Sequence, residues 1–292
     1  MEYTACINHI VQFIEENLSE NLTLESLAKE ACFSPYHFHR IFQSIVGVSI
    51  MEYVRLKRLS GAAIQLKESD QRIIDVALDY GFQSHESFTR AFKKVYGLSP
   101  LLYRTSAVEL DLFVNHSLNK FKGGNYMEVK IITKPKMHVI GYSLQTTVEE
   151  GENKKDIPSF WQDYLSKELC STFGETIRSK EELGICTDYH SENGQFTYMI
   201  AKEVSEEPSE LPAGMTFRTF PETQFAVFTT SPASEENFTS MIQSAWVEIY
   251  QNWFPASDYE QCGDYEFELY DERCHNNDNK RIDIYIPVQK KK

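Results

Sequence analysis

Long apolar runs, paired cysteine motifs and an excess of basic residues are all missing from this 292-residue chain. No window approaches the roughly 18 consecutive apolar residues that a membrane-spanning helix requires, so no membrane partner is expected. The first residues lack the basic and apolar regions of an export signal, which favours a cytoplasmic protein. The six cysteines form no CxxC pair. We therefore expect reduced thiols, no zinc site and no cofactor.

The shortage of basic residues gives the whole chain a formal net charge of −14, from 29 Lys and Arg against 43 Asp and Glu. Such a balance argues against DNA binding, because phosphates are contacted by Lys and Arg. The charge is distributed unevenly, however. Residues 1–107 carry 11 basic and 12 acidic side chains, whereas residues 108–292 carry 18 and 31. The two parts must therefore be interpreted separately.

An internal repeat occupies the first part. Several residues recur fifty positions later, and others recur forty-nine positions later. The pairs at fifty are Phe38 and Phe88, Arg40 and Arg90, Phe42 and Phe92, Gly47 and Gly97, Ser49 and Ser99, and Tyr53 and Tyr103; those at forty-nine are Ala28 and Ala77, and Phe33 and Phe82. The change of offset indicates one inserted residue in the second turn. The repeat predicts two copies of one structural unit.

Each copy has the pattern of two helices joined by a tight turn. Thr23 is the predicted N-cap of the first copy, and Pro35 opens its second helix, which ends at Gly47. In the second copy, Ser84 caps a helix that ends at Gly97. The second helices are predicted to bury Phe38, Ile41, Phe42 and Ile45 in the first copy, and Phe88, Ala91, Phe92 and Val95 in the second. Residues 50–67 between the copies are predicted to form one amphipathic helix about 27 Å long.

Polar side chains cover the opposite faces of these second helices. The candidate DNA contacts are Tyr36, His39, Arg40 and Gln43 in the first copy, and His85, Glu86, Thr89, Arg90 and Lys93 in the second. The second helix of a helix-turn-helix lies in the major groove, where outward side chains reach base edges. Solvated helix faces are the alternative. The duplication favours DNA contact, with the two reading helices about one DNA turn (~34 Å) apart.

Residues 5–105 resemble the DNA-binding domain of AraC/XylS-type bacterial transcription regulators. The stretches that carry the resemblance include residues 33–42, 88–93 and 99–104. It implies promoter DNA and RNA polymerase as partners. Two positions depart from the family pattern. Cys32 stands where a small turn residue, often glycine, is usual, and Glu86 places a carboxylate on the second reading helix, where it could accept from cytosine or repel phosphate.

The pattern changes after Arg104, and residues 122–125 are typical of the end of a linker. We therefore expect a multidomain chain: an all-α domain with two helix-turn-helix motifs at 1–107, a linker at 108–126, and a second domain at 127–292. The second domain combines short β-rich runs with helical patterns at 157–169 and 237–254. This order predicts an α+β domain made of two similar halves.

The alternation of side chains along residues 265–270 places Glu266, Glu268 and Tyr270 on one face of a strand. Residues 128–288 resemble the GyrI-like effector-binding domain of multidrug sensors, on stretches such as 225–228, 252–257 and 283–287. The resemblance implies two strand-helix-strand-strand modules around a groove, with Glu268 facing a cation that aromatic residues bind. The candidate ligand-binding residues are Glu268, Tyr270, Trp161, Tyr164, Trp246, Trp253 and Phe228.

Three functions are compatible with these patterns. The first is a transcription regulator, expected to be an activator and not an enzyme, controlled by a small amphipathic or cationic ligand. The second is a GyrI-like hydrolase that opens strained rings with Glu266, Glu268 and Tyr270. The third is an acidic domain that binds a protein partner or imitates DNA.

Overall fold

The computed structural model of the chain describes residues 3–33, 35–113, 127–148, 151–190, 194–275 and 279–291. Contacts divide the chain into two compact units, Met1–Lys120 and Phe121–Lys292. Where the chain is described, the first unit is helical, and the second combines helices with one large antiparallel sheet. No helix in these ranges is long and apolar enough to cross a membrane. The predicted order of an all-α domain before an α+β domain is confirmed.

The helices of the first unit follow the predicted repeat. They are α1 (Tyr3–Glu16), α2 (Leu24–Glu30), α3 (Pro35–Val46), α4 (Ile50–Glu68), α5 (Ile73–Asp79), α6 (His85–Tyr96) and α7 (Pro100–Thr105). The pairs α2–α3 and α5–α6 are the two helix-turn-helix units, and α4 connects them. Thr23 and Ser84 accept hydrogen bonds from backbone amides of the first turns of α2 and α6. Both predicted N-caps are thereby confirmed.

The same aromatic contact recurs in both helix-turn-helix units. The ring of Phe42 meets Tyr53 with centroids 5.6 Å apart, and Phe92 meets Tyr103 at 5.7 Å. All four side chains are buried. In each unit the second helix is therefore held against the helix that follows it by one pair of large aromatic side chains, which dominate the energetics of small cores.

Two side chains lie differently from the prediction. His39 is only 1% exposed, so its assignment to an outward face is wrong; it shares a helix face with Phe42 and Val46, which are also buried. Val95 is 36% exposed and does not join the core, although its counterpart Ile45 is buried. The two second helices also have different packing partners: α3 packs on α1, α2 and α4, whereas α6 packs on α5 and α7.

The turns of the two units share a left-handed residue. Cys32 has φ of 58° and Gly81, at the equivalent position, has φ of 72°. A residue with a side chain pays about 1–2 kcal/mol in this region, so Cys32 occupies a position that suits glycine. A Cβ at Gly81 would also lie 2.8 Å from Cζ of Arg58. The Arg58 guanidinium donates to the carbonyl oxygens of Leu18 and Glu20 at 2.9 and 2.6 Å.

The second unit alternates strands and helices as expected. Its elements are β1 (Glu128–Lys134), β2 (Met137–Thr147), α8 (Asn153–Ser166), β3 (Glu182–His190), β4 (Gln195–Val204), β5 (Met215–Phe220), β6 (Thr223–Thr229), α9 (Phe238–Glu248), β7 (Tyr259–Gln261), β8 (Glu266–Tyr270) and β9 (Asp283–Lys290). A π-helical turn, Ile249–Trp253, and a last turn, Phe254–Ala256, continue α9. The short β7 is an addition to the predicted strands.

The sheet is assembled from two equivalent modules. Its order is β1-β6-β9-β8-β3-β4-β2-β5, with antiparallel pairing, and β7 pairs with β9. The module β2-α8-β3-β4 supplies one half and β6-α9-β8-β9 the other, and β3 pairs with β8 where they meet. The expected strand-helix-strand-strand modules are therefore present. This arrangement brings β8, which carries Glu268, to the centre of the sheet.

The predicted linker divides into two stretches. Its first residues, through Phe113, lie among the described residues, and Leu110 and Leu112 pack against the core of the second helix-turn-helix unit. Residues 114–126, which include the predicted linker glycines at 123 and 124, lie outside the described ranges. The helical domain therefore makes contacts with residues beyond 107.

The glycine at the second turn yields a stability prediction. Gly81→Ala should cost about 1–2 kcal/mol for the left-handed backbone, and further stability because the new Cβ must displace Arg58. Gly97→Ala is the matched control, since Gly97 has φ of 79° and nothing within 4 Å of an added Cβ. Calorimetric unfolding of the full chain compares the two. A cost for Gly81→Ala no larger than that for Gly97→Ala would contradict the role of Arg58.

Candidate functional site

The outward face of α6 carries the predicted DNA contacts of the second helix-turn-helix unit. One open concavity there is lined by His85, Glu86, Thr89, Arg90, Lys93 and Lys94. All of them except Thr89 are exposed. Lys94 is an addition to the predicted set, and its position four residues after Arg90 could have indicated it. Three cations on one helix face suit a phosphate-lined groove.

Glu86 has a structural role at the start of α6. Two hydrogen bonds lower the pKa of the Glu86 carboxyl. The larger effect comes from the backbone of Glu86 itself, and the next from the side chain of Ser84. A negative charge in the first turn is also favoured by the helix dipole. Glu86 thus stabilises the start of the reading helix, which is a role apart from base contact or phosphate repulsion.

The equivalent face of α3 offers fewer side chains. Arg40 and Gln43 are partly exposed on it, whereas His39 is buried. The backbone of Tyr36 belongs to α3, but its side chain lies outside the described residues. Arg40 and Gln43 are therefore the predicted contacts of the first copy that the structure places at the surface.

In the second domain, Glu268 is held between two aromatic side chains. Nε1–H of Trp246, on α9, donates to Oε1 at 3.0 Å, and the hydroxyl of Tyr270 donates to Oε2 at 2.7 Å. Glu268 as a residue is partly exposed, and it is the register partner of Gly184 where β8 pairs with β3. Both oxygens are thus oriented by neutral donors, which fixes the carboxylate in place.

The helix of the other module, α8, also contributes a side chain to this site. The ring of Trp161 lies 4.7 Å from that of Tyr270, and its Nε1–H donates to the Tyr198 hydroxyl at 2.8 Å. Burial, and next the charge of Glu268, raise the pKa of both Tyr198 and Tyr270 well above the usual value. Both phenols therefore keep their protons and stay available as donors. We call Glu268, Tyr270, Trp161, Tyr198 and Trp246 the Glu268 cluster.

Gly184 makes room for this cluster. A Cβ at that position would lie 2.3 Å from the hydroxyl oxygen of Tyr198 and 3.2 Å from Cε2 of Tyr270. Tyr198 and Gly184 are absent from the predicted site. A glycine inside a strand pattern signals the close approach of another group, but the sequence does not say which group approaches.

Tyr164 supports the cluster from behind. It is fully buried, its ring meets Trp161 at 5.8 Å, and its hydroxyl donates to Glu182 at 3.4 Å. Nζ of the buried Lys202 lies 3.1 Å from the same carboxylate. These contacts anchor α8 on the sheet. A buried Tyr164 is placed to position Trp161 and not to meet a ligand itself.

Trp253 and Phe228 lie elsewhere on the same face of the sheet. Their rings meet edge to face at 4.8 Å, and Phe228 is fully buried. Phe228 faces Ile284 across one strand pair, and Ile284 faces Glu268 across the next. That separation is roughly 10 Å at the usual strand spacing. The structure therefore places Phe228 in the core and the partly exposed Trp253, from the π-helical turn after α9, against it, apart from the Glu268 cluster.

Glu266 shares the strand face with Glu268, as predicted, but has a different environment. It is 1% exposed and accepts from Nε2 of Gln261 at 3.3 Å. Gln261 in turn accepts from the hydroxyl of the buried Tyr250 at 2.6 Å. Glu266 is thus enclosed in a buried polar network, whereas Glu268 and Tyr270 remain partly accessible.

Comparison with known protein families agrees with both domains. Residues 130–288 match the integron-associated effector binding proteins, and residues 27–106 match a helix-turn-helix domain. The chain belongs to the family of integron-associated effector binding proteins. In this member of the family, an AraC-type helix-turn-helix domain precedes the effector-binding domain. These are the domains of an AraC-family regulator with a GyrI-like effector-binding domain.

Individual relatives match part of the chain. The chain is 43% identical to the HTH-type transcriptional regulator YbfP of Bacillus subtilis over 131 residues, which span 45% of this chain and 42% of YbfP. It is 39% identical to the HTH-type transcriptional activator AarP of Providencia stuartii over 103 residues, or 35% of this chain and 76% of AarP. An integron cassette protein of Vibrio cholerae is 18% identical, with a TM-score of 0.39, over 56% of this chain and 98% of its own.

The crowding at Gly184 can be tested by mutation. Gly184→Ala should destabilise the second unit by about 1–3 kcal/mol, the usual cost of overpacking, because the new methyl group collides with the Tyr198 hydroxyl. Tyr198→Phe in the same chain removes the colliding atom and should recover much of that loss in calorimetric unfolding. If the double variant loses the sum of the stabilities lost by the two single variants, the prediction is wrong. The glycine at 184 is then not needed to make room for the Tyr198 hydroxyl.

Proposed function

We propose that the protein is a DNA-binding transcription regulator that acts as an activator and responds to a hydrophobic cation held at the Glu268 cluster. The observation that carries the DNA assignment is the exposed face of α6, where Arg90, Lys93 and Lys94 lie beside Thr89. An exposed second helix with this chemistry suits the major groove of DNA. The cytoplasm, where promoter DNA lies, is the expected location.

The activator role rests on the helix-turn-helix domain. AarP, which is named a transcriptional activator, matches this domain over three quarters of its own length. An activator brings RNA polymerase to a promoter, so we expect the polymerase as a partner in addition to double-stranded DNA. With α4 of 19 residues, about 28 Å long, one chain can present two reading helices along one face of a duplex.

The class of effector is inferred from the chemistry of the Glu268 cluster. Glu268 is partly exposed, its carboxylate accepts from Trp246 and Tyr270, and the ring of Trp161 packs on that of Tyr270. Aromatic faces attract cations and bind apolar groups, and the carboxylate supplies a full negative charge. The indole and phenol donors already orient that charge. A hydrophobic organic cation satisfies both features, so we assign this ligand class to the second domain.

A hydrolase receives less support from the same residues. Ring opening by paired glutamates requires two carboxylates that reach the substrate together with an acid. Glu266 is enclosed by Gln261, and Glu268 already accepts hydrogen bonds from Nε1–H of Trp246 and the hydroxyl of Tyr270. One accessible carboxylate suits binding better than acid–base catalysis. We therefore infer a sensor domain in place of an enzyme.

DNA reading can be tested with Arg90→Ala and its counterpart Arg40→Ala. The probe is a duplex selected from random-sequence DNA by the wild-type chain. Loss of a base contact should weaken binding by about 1–3 kcal/mol, which is roughly 5- to 150-fold, measured by fluorescence anisotropy. Arg72→Ala is the matched control, because Arg72 is exposed and pairs with Asp75 beside α5. Unchanged affinity in both test variants would refute the assignment of the reading helices.

Cation binding can be tested with Glu268→Gln, which keeps the shape of the side chain and removes its charge. Tetraphenylphosphonium is the probe, and we expect its calorimetric affinity to fall at least about tenfold, since a partly buried ion pair is worth several kcal/mol at an effective dielectric constant near 20. Triphenylphosphine oxide, an uncharged analogue, should be unaffected. Glu222→Gln changes an exposed glutamate of the same domain and serves as control. Equal binding of the cation by Glu268→Gln and wild type would overturn the assignment.

A further inference from the structure

The chain that leaves the last helix of the DNA-reading domain runs back along α4. Nζ of Lys67 donates to the carbonyl oxygen of Ser106, and the backbone N–H of Phe113 donates to Oγ of Ser60 at 2.9 Å. Lys67 and Ser60 are two helical turns apart, so residues 106–113 follow α4 in the opposite direction. We call these residues the strap.

One side of the strap is joined to the second reading helix. Oγ of Ser60, which receives the Phe113 amide, also lies 3.0 Å from the Tyr96 hydroxyl. Tyr96 is the last residue of α6, and its ring meets Phe92 at 4.8 Å. Leu110 and Leu112 pack against the same core. The strap therefore contacts the unit that contains α6 through both polar and apolar groups.

The end of the strap reaches the first helix-turn-helix unit through Tyr53 of α4. The ring of Phe113 meets Tyr53 at 5.4 Å, and Nζ of Lys57 lies 6.0 Å from the centre of the Phe113 ring. Tyr53 in turn contacts Phe42 of α3 at 5.6 Å. Phe113 is thus linked to the first reading helix, α3, through the ring of Tyr53. Its backbone is linked to the second reading helix, α6, through the hydroxyl of Ser60.

The strap runs alongside α4, the helix that connects the two helix-turn-helix units. Two helices that read successive major grooves gain affinity from each other only if their separation matches the DNA. A connecting helix with a single set of contacts can bend or shift at its ends. A second segment that is attached at both ends of α4 restricts this motion.

We propose that the strap is a positioning element of DNA recognition, in which Ser60 and Phe113 hold the two reading helices at the separation that simultaneous binding requires. This inference rests on the proposed DNA-reading function. It gives the residues that follow α7 a role in recognition although none of them belongs to a reading helix.

The test uses the full chain and two duplexes: the selected site, and the same site with one half scrambled. Phe113→Ala and Ser60→Ala should weaken binding to the complete site by about tenfold or more, since avidity is lost when the geometry of two linked readers fails. Binding to the half-scrambled site should change less than about twofold, because one reader suffices there. Phe113→Tyr, which keeps the ring, should bind like wild type. Val108→Ala, an exposed position of the strap, is the matched control.

The outcomes separate the two claims. If wild type does not distinguish the selected duplex from a fully scrambled one, the DNA-reading function fails, and this inference fails with it. If wild type does distinguish them but Phe113→Ala and Ser60→Ala bind the complete site normally, the strap alone is refuted. Equal losses on the complete and the half-scrambled site also refute it, because they indicate a general loss of folding.

Discussion

The hydrogen bonds that hold the Glu268 carboxylate are the interaction on which the second domain depends. Even partial burial of a carboxylate near the middle of a sheet is costly unless its oxygens are satisfied. Trp246 of α9 and Tyr270 of β8 satisfy one oxygen each. Trp161 of α8 then packs on Tyr270. The Glu268 carboxylate and the Tyr270 side chain therefore together link the helices of both modules.

The symmetry of the sheet explains why the charge lies where it does. Each module contributes three adjacent strands, and the modules join through β3 and β8. A residue at this junction is within reach of both helices. Gly184 faces Glu268 across the junction and leaves space for Tyr198. The absence of a side chain at one position thus allows a carboxylate, two phenols and two indoles to meet.

Short-range patterns predicted much of this structure. Alternation along one strand correctly grouped Glu268 with Tyr270, and the repeat correctly placed both helix-turn-helix units, because each pattern depends on neighbours in the chain. Tyr198 and Gly184 escaped prediction because they join the cluster only through the register of separate strands. The errors at His39 and Val95 have a similar cause, since the burial of a side chain on a helix depends on which other elements pack against that face. Trp253 and Phe228 form core contacts that composition alone cannot distinguish from a ligand site.

The partition of charge fits the two functions. The helical part is nearly neutral and presents cations on α6, whereas the second part carries almost all of the net negative charge. An acidic domain attracts cationic ligands and is repelled by the duplex. An effector can regulate only if its affinity differs between the DNA-bound and the free protein. The affinity for DNA must then change by the same factor when the effector is bound.

The most direct test is to measure the affinity of the full chain for its selected duplex with and without saturating tetraphenylphosphonium, in wild type and in Glu268→Gln. The account predicts that the cation changes the wild-type affinity by about 5- to 150-fold, the usual range of coupling between sites, and leaves that of Glu268→Gln unchanged. The same DNA affinity of the wild-type chain with and without the bound cation would contradict it.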